Sequence, residues 1–217
     1  MRPRERVRDN MKMKVLAGAV ALACMGLAGI SVAAEATGKT SLENLQTAFN
    51  GESNAKARYE AFAAKADEEG YKSVATLFRA AAFSESIHAQ KHAAAIQKLG
   101  AEPQATVVAP EVKTTKENIE TAMNGENMEK QTMYPAFVQQ AEAEGNTQAV
   151  YSFKGAMAAE AEHAKLFAQA LSELDSWKPA GKAFYVCQVC GYTQVNDPAV
   201  MKCVICAAPR AKFTIFQ

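Results

Sequence analysis

The feature that most constrains this 217-residue chain is a four-residue pattern that occurs twice, as Glu85-Ser86-Ile87-His88 and Glu160-Ala161-Glu162-His163. Positions i and i+3 of a helix share a face, so each Glu-x-x-His aims a carboxylate and an imidazole at one point. Oxygen and nitrogen donors in that mixture suit iron, manganese or zinc. One such tetrad is weak evidence, because Glu is common in helices. Two of them, each preceded by a Gly-Glu at matching distance, are strong.

The tetrads belong to a larger duplication. TSLENLQTAFNGES at 40–53 and TTKENIETAMNGEN at 114–127 agree at eight of fourteen positions, at an offset of 74. Each copy opens with a capping box, Thr40 with Glu43 and Thr114 with Glu117, which predicts a helix start. Each then carries a Glu after Gly, Glu52 and Glu126. Farther on the offset is 75, pairing Tyr59 with Tyr134, Phe62 with Phe137, Gly70 with Gly145, Glu85 with Glu160 and His88 with His163. The second copy has therefore gained one residue between Glu126 and Tyr134. With Pro135 just beyond, this predicts a π-bulge or kink, because Pro lacks an amide donor and an extra residue must be looped out.

Gly70 and Gly145 are the expected helix stops, since Gly tolerates the left-handed conformation that ends helices. Glu52 lies eighteen residues before Gly70 and Glu85 fifteen after it, about 27 Å and 23 Å along two antiparallel helices. Glu126 and Glu129 lie nineteen and sixteen residues before Gly145, and Glu160 fifteen after it. Four helices thus bring Glu52, Glu85, His88, Glu126, Glu129, Glu160 and His163 to one level of an all-α four-helix bundle. A Glu from each of two helices and a Glu-x-x-His from each of the other two is the ligand set of ferritin-like di-iron carboxylate bundles. Glu129 adds a carboxylate one turn from Glu126. Burying so many acids and imidazoles without a metal would be prohibitively costly. Glu162 lies off the ligand face and reads as surface. His92, one turn after His88, reads as an exposed histidine in preference to a group supporting the site. Tyr59 and Tyr134 are either core tyrosines or hydrogen-bond donors beside the site.

Residues 1–34 read as an export signal: Arg2, Arg4, Arg6, Arg8, Lys12 and Lys14 precede an uncharged apolar run from Val15 to Val32, and Val32-Ala33-Ala34 offers a cleavage site. Met11 and Met13 offer later starts. Cleavage as a lipoprotein at Cys24 is not expected, because apolar sequence continues beyond it. An uncleaved membrane anchor is the alternative, which the many Ala and Gly disfavour. With no twin-Arg pair, the expectation is export of an unfolded chain to the periplasm, with metal acquired there. Removing six basic and two acidic residues takes the formal charge from +1 to −3, which removes the electrostatic case for nucleic-acid binding.

The bundle is expected over 35–174, with a crossover loop at Leu99–Val112 running along it and open to helix exchange between subunits. A linker follows at 175–184, marked by Trp177, Pro179 and Gly181, and a small metal-knuckle domain at 185–217. Cys187-x-x-Cys190 and Cys203-x-x-Cys206 make a tetrahedral all-thiolate site for Fe or Zn, the alternative being two disulfides. So short a segment needs such a staple to fold. No G-x-G-x-x-G is present, so there is no case for a nicotinamide site and electrons must come from a separate donor.

In order and spacing the chain resembles rubrerythrin over nearly its whole length beyond the leader: GES followed by Tyr59, ESIH, GENMEKQTMYP, EAEH, and a rubredoxin-like CQVCGY…CVICAAPRAKF. The resemblance implies two non-haem irons in the bundle and one iron in the tail. It also implies reduction of hydrogen peroxide to water at the diferrous site, with electrons returned through the tail. It implies that one iron moves between Glu129 and His88 on redox change, that Tyr59 and Tyr134 hydrogen-bond near the site, and that a homodimer brings each tail near the other subunit's irons. Val204 and Ala207 depart from the Pro and Gly usual in rubredoxins, which predicts crowding of the second knuckle's hydrogen bonds. An iron-oxidising, iron-handling ferritin-like protein is the competing reading.

Overall fold

The computed structural model describes residues 39–217, so the leader and its cleavage position lie outside the described residues. Helices α1 (Ser41–Glu68) and α2 (Lys72–Lys98) form one antiparallel pair. The second pair is α3 (Thr115–Met128) continuing into α4 (Tyr134–Ala143), and α5 (Thr147–Ser172). Both capping boxes form: Glu43 N–H donates to Thr40 Oγ1 at 3.3 Å and Thr40 N–H to Glu43 at 2.7 Å, with Glu117 and Thr114 repeating the pair. Gly70 and Gly145 end α1 and α4 at φ +82° and +68°.

The extra residue of the second copy is absorbed as expected. Glu129–Met133 is a π-helical turn joining α3 to α4, so the two run as one helix past Pro135. Among the described residues no helix is long and apolar enough to cross a membrane.

The charged level divides the core in two. On one side Phe62, Phe78 and Phe167 pack with Val74 and Leu77; on the other Leu45, Ile96, Phe137 and Phe153 pack together. Each fully buried Phe contributes roughly 1.5–3 kcal/mol. Every helix therefore carries its ligands between two apolar anchors, which fixes their height.

The crossover loop lies along α1 of its own chain. Gln46, Asn50 and Asn54, one turn apart, bind its backbone in sequence: Gln46 Nε2 donates to Glu102 O at 2.6 Å and Gln46 Oε1 accepts from Gln104 N; Asn50 Oδ1 accepts from Thr106 N; Asn54 donates to Thr106 O and accepts from Val108 N. A loop stitched this way satisfies its polar backbone without secondary structure.

The tail is a three-stranded antiparallel sheet ordered β2–β1–β3, with β1 Phe184–Cys187, β2 Thr193–Val195 and β3 Phe213–Phe216. Phe184 pairs with both Val195 and Phe216. The connecting stretch is clamped rather than slack. Lys72 N–H at the start of α2 donates to Lys178 O at 2.9 Å, Ser73 Oγ donates to Pro179 O at 2.6 Å, and buried Trp177 stacks on Phe184 at 6.0 Å. Phe184 and Val186 join the same apolar cluster as Phe78, and Phe216 packs against Phe83 at 5.5 Å. Tail and bundle of one chain thus share a core.

Candidate metal centres

Two four-residue groups form inside the bundle, each with ligand atoms within 4.8 Å of one another: Glu52, Glu85, His88 and Glu160, and Glu85, Glu126, Glu160 and His163. Glu85 and Glu160 belong to both. The arrangement is two metal positions, each with its own Glu and His, joined by two shared carboxylates. Glu160 spans them, Oε1 lying 2.9 Å from His88 Nδ1 and Oε2 2.9 Å from His163 Nδ1. Glu85 does likewise, at 2.9 Å from His88 and 3.3 Å from His163. All six side chains are at most 1% exposed.

The donors fit a metal pair. Glu52 Oε2, Glu85 Oε1, Glu126 Oε2, both Glu160 oxygens and His163 Nδ1 are buried without a hydrogen-bond partner, an arrangement folded proteins avoid unless an ion satisfies it. Glu129 heads the π-helical turn, half-buried and outside both groups, with its charge acting on Glu52.

Burial, then the carboxylates around them, pushes Glu52 well above the usual carboxylate range and Glu126 up to about 8. Burial would also raise Glu160, but the His88 and His163 imidazoles overcome it and hold Glu160 low. Burial opposes a charge on the histidines, and the carboxylates outweigh it, raising both. Glu126, Glu52, His88 and His163 are all raised, so each contributes stability below its unfolded pKa that is lost as pH rises through the folded one. Glu160 acts in the opposite direction, only below its ordinary range. The metal-free chain is therefore expected to be more stable at pH 5.5 than at pH 8, by on the order of a few kcal/mol. Urea denaturation at the two pH values checks this, and saturating metal should abolish the difference.

The tyrosines cross over. Tyr59 of the first repeat donates to Glu126 Oε1 of the second at 2.6 Å, and Tyr134 of the second donates to Glu52 of the first. Burial, then those carboxylates, raises both hydroxyls, so each is held protonated as a donor.

In the tail the four sulfurs lie within 4.8 Å of one another, Cys187 to Cys206 at 3.6 Å and Cys190 to Cys203 at 3.5 Å. A disulfide needs about 2.05 Å, whereas the edge of a tetrahedral thiolate site with metal–sulfur bonds of about 2.3 Å is roughly 3.75 Å. No disulfide joins these four cysteines, which overturns the disulfide alternative. The Cys190 thiol, then the amides of Val189 and Cys190, hydrogen-bond the Cys187 sulfur and bring it down to about 5.

The crowding expected of Ala207 takes another form. Ala207 adopts φ +59°, as Gly191 adopts +80° in the first knuckle, and its amide bonds Cys203 O at 2.9 Å, as that of Gly191 bonds Cys187 O at 2.8 Å. The loop is kept and the cost is backbone strain of about 1 kcal/mol. Ala207→Gly is expected to stabilise the tail by roughly 0.5–1 kcal/mol, the strain relief being partly offset by unfolded-chain entropy. Thermal melting followed by thiolate absorbance tests it.

The two centres touch. Both site histidines face the carboxylates with Nδ1 and the tail with Nε2: His88 Nε2 lies 3.2 Å from Cys190 O, and His163 Nε2 lies 3.0 Å from Thr193 Oγ1. Ser84 Oγ donates to Gly191 O at 2.5 Å. Hydrogen bonds at the far nitrogen fix the tautomer and orientation of a ligating histidine. Thr193 and Ser84 gave no sequence signal, being ordinary residues made functional by a contact between distant segments.

His92 corrects the sequence reading. It is fully buried, with Nε2 3.1 Å from Tyr134 Oη and 3.8 Å from Glu52 Oε1, and Nδ1 2.8 Å from Ser152 Oγ. Burial first, then the charge of His88, lowers it to about 3, so the imidazole is neutral. Its spacing of one turn from His88, between apolar positions, was the available signal. Glu162 is partly exposed and pairs with Lys165 at 2.8 Å, as a surface residue should.

Fold and donors together define a class: a ferritin-like di-iron carboxylate bundle carrying a rubredoxin-like four-cysteine tail. The rubrerythrin family profile matches residues 43–171, and that of the rubrerythrin rubredoxin-like domain matches 185–214. Nigerythrin of Nitratidesulfovibrio vulgaris is 39% identical over 184 residues, covering 83% of this chain and 88% of that protein. Rubrerythrin of Porphyromonas gingivalis is 32% identical, covering 81% and 90%. The structure of nigerythrin in its fully reduced, all-ferrous state superposes with a TM-score of 0.78 at 35% identity, covering 94% of this chain and all of that one. The chain belongs to the rubrerythrin family, with iron as the metal of both centres.

Proposed function

We propose that this protein is a peroxidase of oxidative-stress defence, which reduces hydrogen peroxide to water in the bundle and is recharged through its own tail by a separate electron donor. The observation that carries this reading is the 3.2 Å contact between Cys190 O and His88 Nε2, which joins the thiolate knuckle to a metal-facing histidine. Iron storage has no use for such a junction.

Glu52, Glu85, His88, Glu126, Glu160 and His163 would hold two irons whose ferrous forms supply the two electrons that splitting the oxygen–oxygen bond consumes, and the four cysteines would hold one iron that returns those electrons one at a time, reloaded between by the separate donor. The chain does the rest. Tyr59 and Tyr134 hold protons at Glu126 and Glu52, beside the place where oxygen leaves needing them. The flanking phenylalanines keep bulk water from the level of the ligands. His88, outside whose group Glu129 stands, offers the histidine side of the exchange that the family resemblance implies. The basic and then apolar leader supports export to the periplasm, and the resemblance supports a homodimer, in which each tail would serve its own subunit's site and not, as the resemblance implied, the partner's. Because tail and bundle meet within one chain, recharging is expected to be independent of protein concentration.

The test is to reduce the full chain anaerobically, add one equivalent of peroxide and follow the visible spectrum. Prompt return of ferric-thiolate colour with about three irons per chain is the expected result. Zinc in the tail with oxidation of only two irons overturns it and favours the iron-handling alternative, which sedimentation as a many-subunit shell would support.

A further inference from the structure

Around the two tyrosines the halves of the bundle repeat each other ring by ring. Tyr59 packs on Phe62, Phe78 and Phe167, with centroids 6.4, 5.9 and 5.5 Å away. Tyr134 packs on Phe137, Phe153 and His92 at 6.3, 6.0 and 5.9 Å. At the repeat offset of 75, Phe62 corresponds to Phe137, Phe78 to Phe153, and Phe167 to His92. The ring that breaks the match is the histidine. A second break is bonded to it: Ser152, whose counterpart is Leu77. Two buried apolar residues in one half are thus answered by two buried polar residues in the other, 2.8 Å apart.

Stability does not explain the exchange, since a buried polar pair is worth no more than the well-packed apolar pair that fills the same space opposite. Proton accounting gives the pair a direction. With Glu52 ionised as a metal ligand, the single hydroxyl proton of Tyr134 is donated to that carboxylate. The Tyr134 oxygen must then accept from His92 Nε2–H, and His92 Nδ1 must accept from Ser152. The chain of donors runs Ser152, His92, Tyr134, Glu52. A hydroxyl that accepts a hydrogen bond donates a stronger one. Tyr59 has Phe167 where Tyr134 has His92, and a phenyl ring has no proton to give.

We propose that His92 is a positioning residue that makes the two ends of the site unequal, holding Tyr134 as a stronger hydrogen-bond donor than Tyr59. The stronger donor serves Glu52, which shares its metal position with His88, the histidine in contact with Cys190. Both ends meet the tail, His163 through Thr193, but the end whose histidine touches the cysteine knuckle is the one with the reinforced hydroxyl. The kinetic consequence rests on the peroxidase reading; the hydrogen-bond chain does not.

Two measurements test it. In the full chain loaded with zinc in place of iron and labelled with 15N-histidine, NMR is expected to show His92 as the Nε2–H tautomer; the Nδ1–H tautomer overturns the proposal. In the iron-loaded, reduced chain, stopped-flow oxidation by peroxide is compared among variants. Tyr134→Phe is expected to slow it about tenfold, the worth of one reinforced hydrogen bond, and Tyr59→Phe clearly less. His92→Phe, which copies the opposite half and leaves Tyr134 an unreinforced donor, should slow it by less than Tyr134→Phe, and the double variant no further than Tyr134→Phe alone. His92→Gln, whose amide nitrogen reaches about where Nε2 stood, should stay within about threefold of the parent. Additive slowing in the double variant, or a His92→Gln as slow as His92→Phe, overturns the proposal. If the unaltered chain is oxidised by dioxygen and not by peroxide, the peroxidase reading fails alone; the same variants are then compared with dioxygen, and the tautomer result stands.

Discussion

Glu160→Ala is expected to empty the bundle of iron while leaving the tail's thiolate iron in place. Glu160 is one of two carboxylates shared by both ligand groups, and its two oxygens face His88 and His163 separately. Removing it deprives each metal position of a donor, takes from His163 its nearest carboxylate and from His88 one of two equally near. Breaking one buried charge contact costs about 3–5 kcal/mol, which at 1.4 kcal/mol per decade is about a thousandfold in metal retention. Iron analysis should fall from about three to about one per chain, with the thiolate spectrum unchanged and peroxide reduction lost. Retention of all three irons would mean that Glu160 is not a shared ligand.

Gly191→Ala is expected to separate the two centres electrically without emptying either. A Cβ at Gly191 would lie 2.3 Å from His88 Nε2 and 2.7 Å from Ser84 Oγ, on a backbone at φ +80°. The loop must retreat by about 1 Å to reach ordinary contact, and a misplacement of that size in a functional contact costs about a hundredfold. Recolouring of the tail after peroxide should slow by about that factor, while oxidation of the bundle irons, followed in the near ultraviolet, stays close to the parent rate. Recolouring at the parent rate would show that electrons do not cross at Cys190 and His88.

What the sequence disclosed and what it hid divide along sequence distance. The repeat, both capping boxes, Gly70 and Gly145 as helix stops and the π-helical turn at Glu129–Met133 all follow from local chemistry or from comparing one half of the chain with the other. Glu52, Glu85, His88, Glu126, Glu160, His163 and the four cysteines were equally legible, because helical period and knuckle spacing dictate where they point. Tyr59 and Tyr134 were legible as site donors, though not that each would serve the opposite repeat. Tail docking was hidden: Ser84 and Gly191 are 107 positions apart, and no local pattern encodes such a meeting. His92 was misjudged because a lone histidine in a helix is usually solvated; here the polar partners that make its burial tolerable, Ser152 and Tyr134, come from two other helices.

The clamped connection between bundle and tail gives the chain a built-in optical gauge. Trp177 is the only tryptophan in the sequence, and it lies fully buried at the junction, stacked on Phe184 with Lys182 Nζ 4.6 Å above its ring. Its fluorescence therefore reports one event, the seating of the tail on the bundle. Emission shifted to the red marks the indole meeting water, so undocking can be timed against iron oxidation in the same cuvette with no added label.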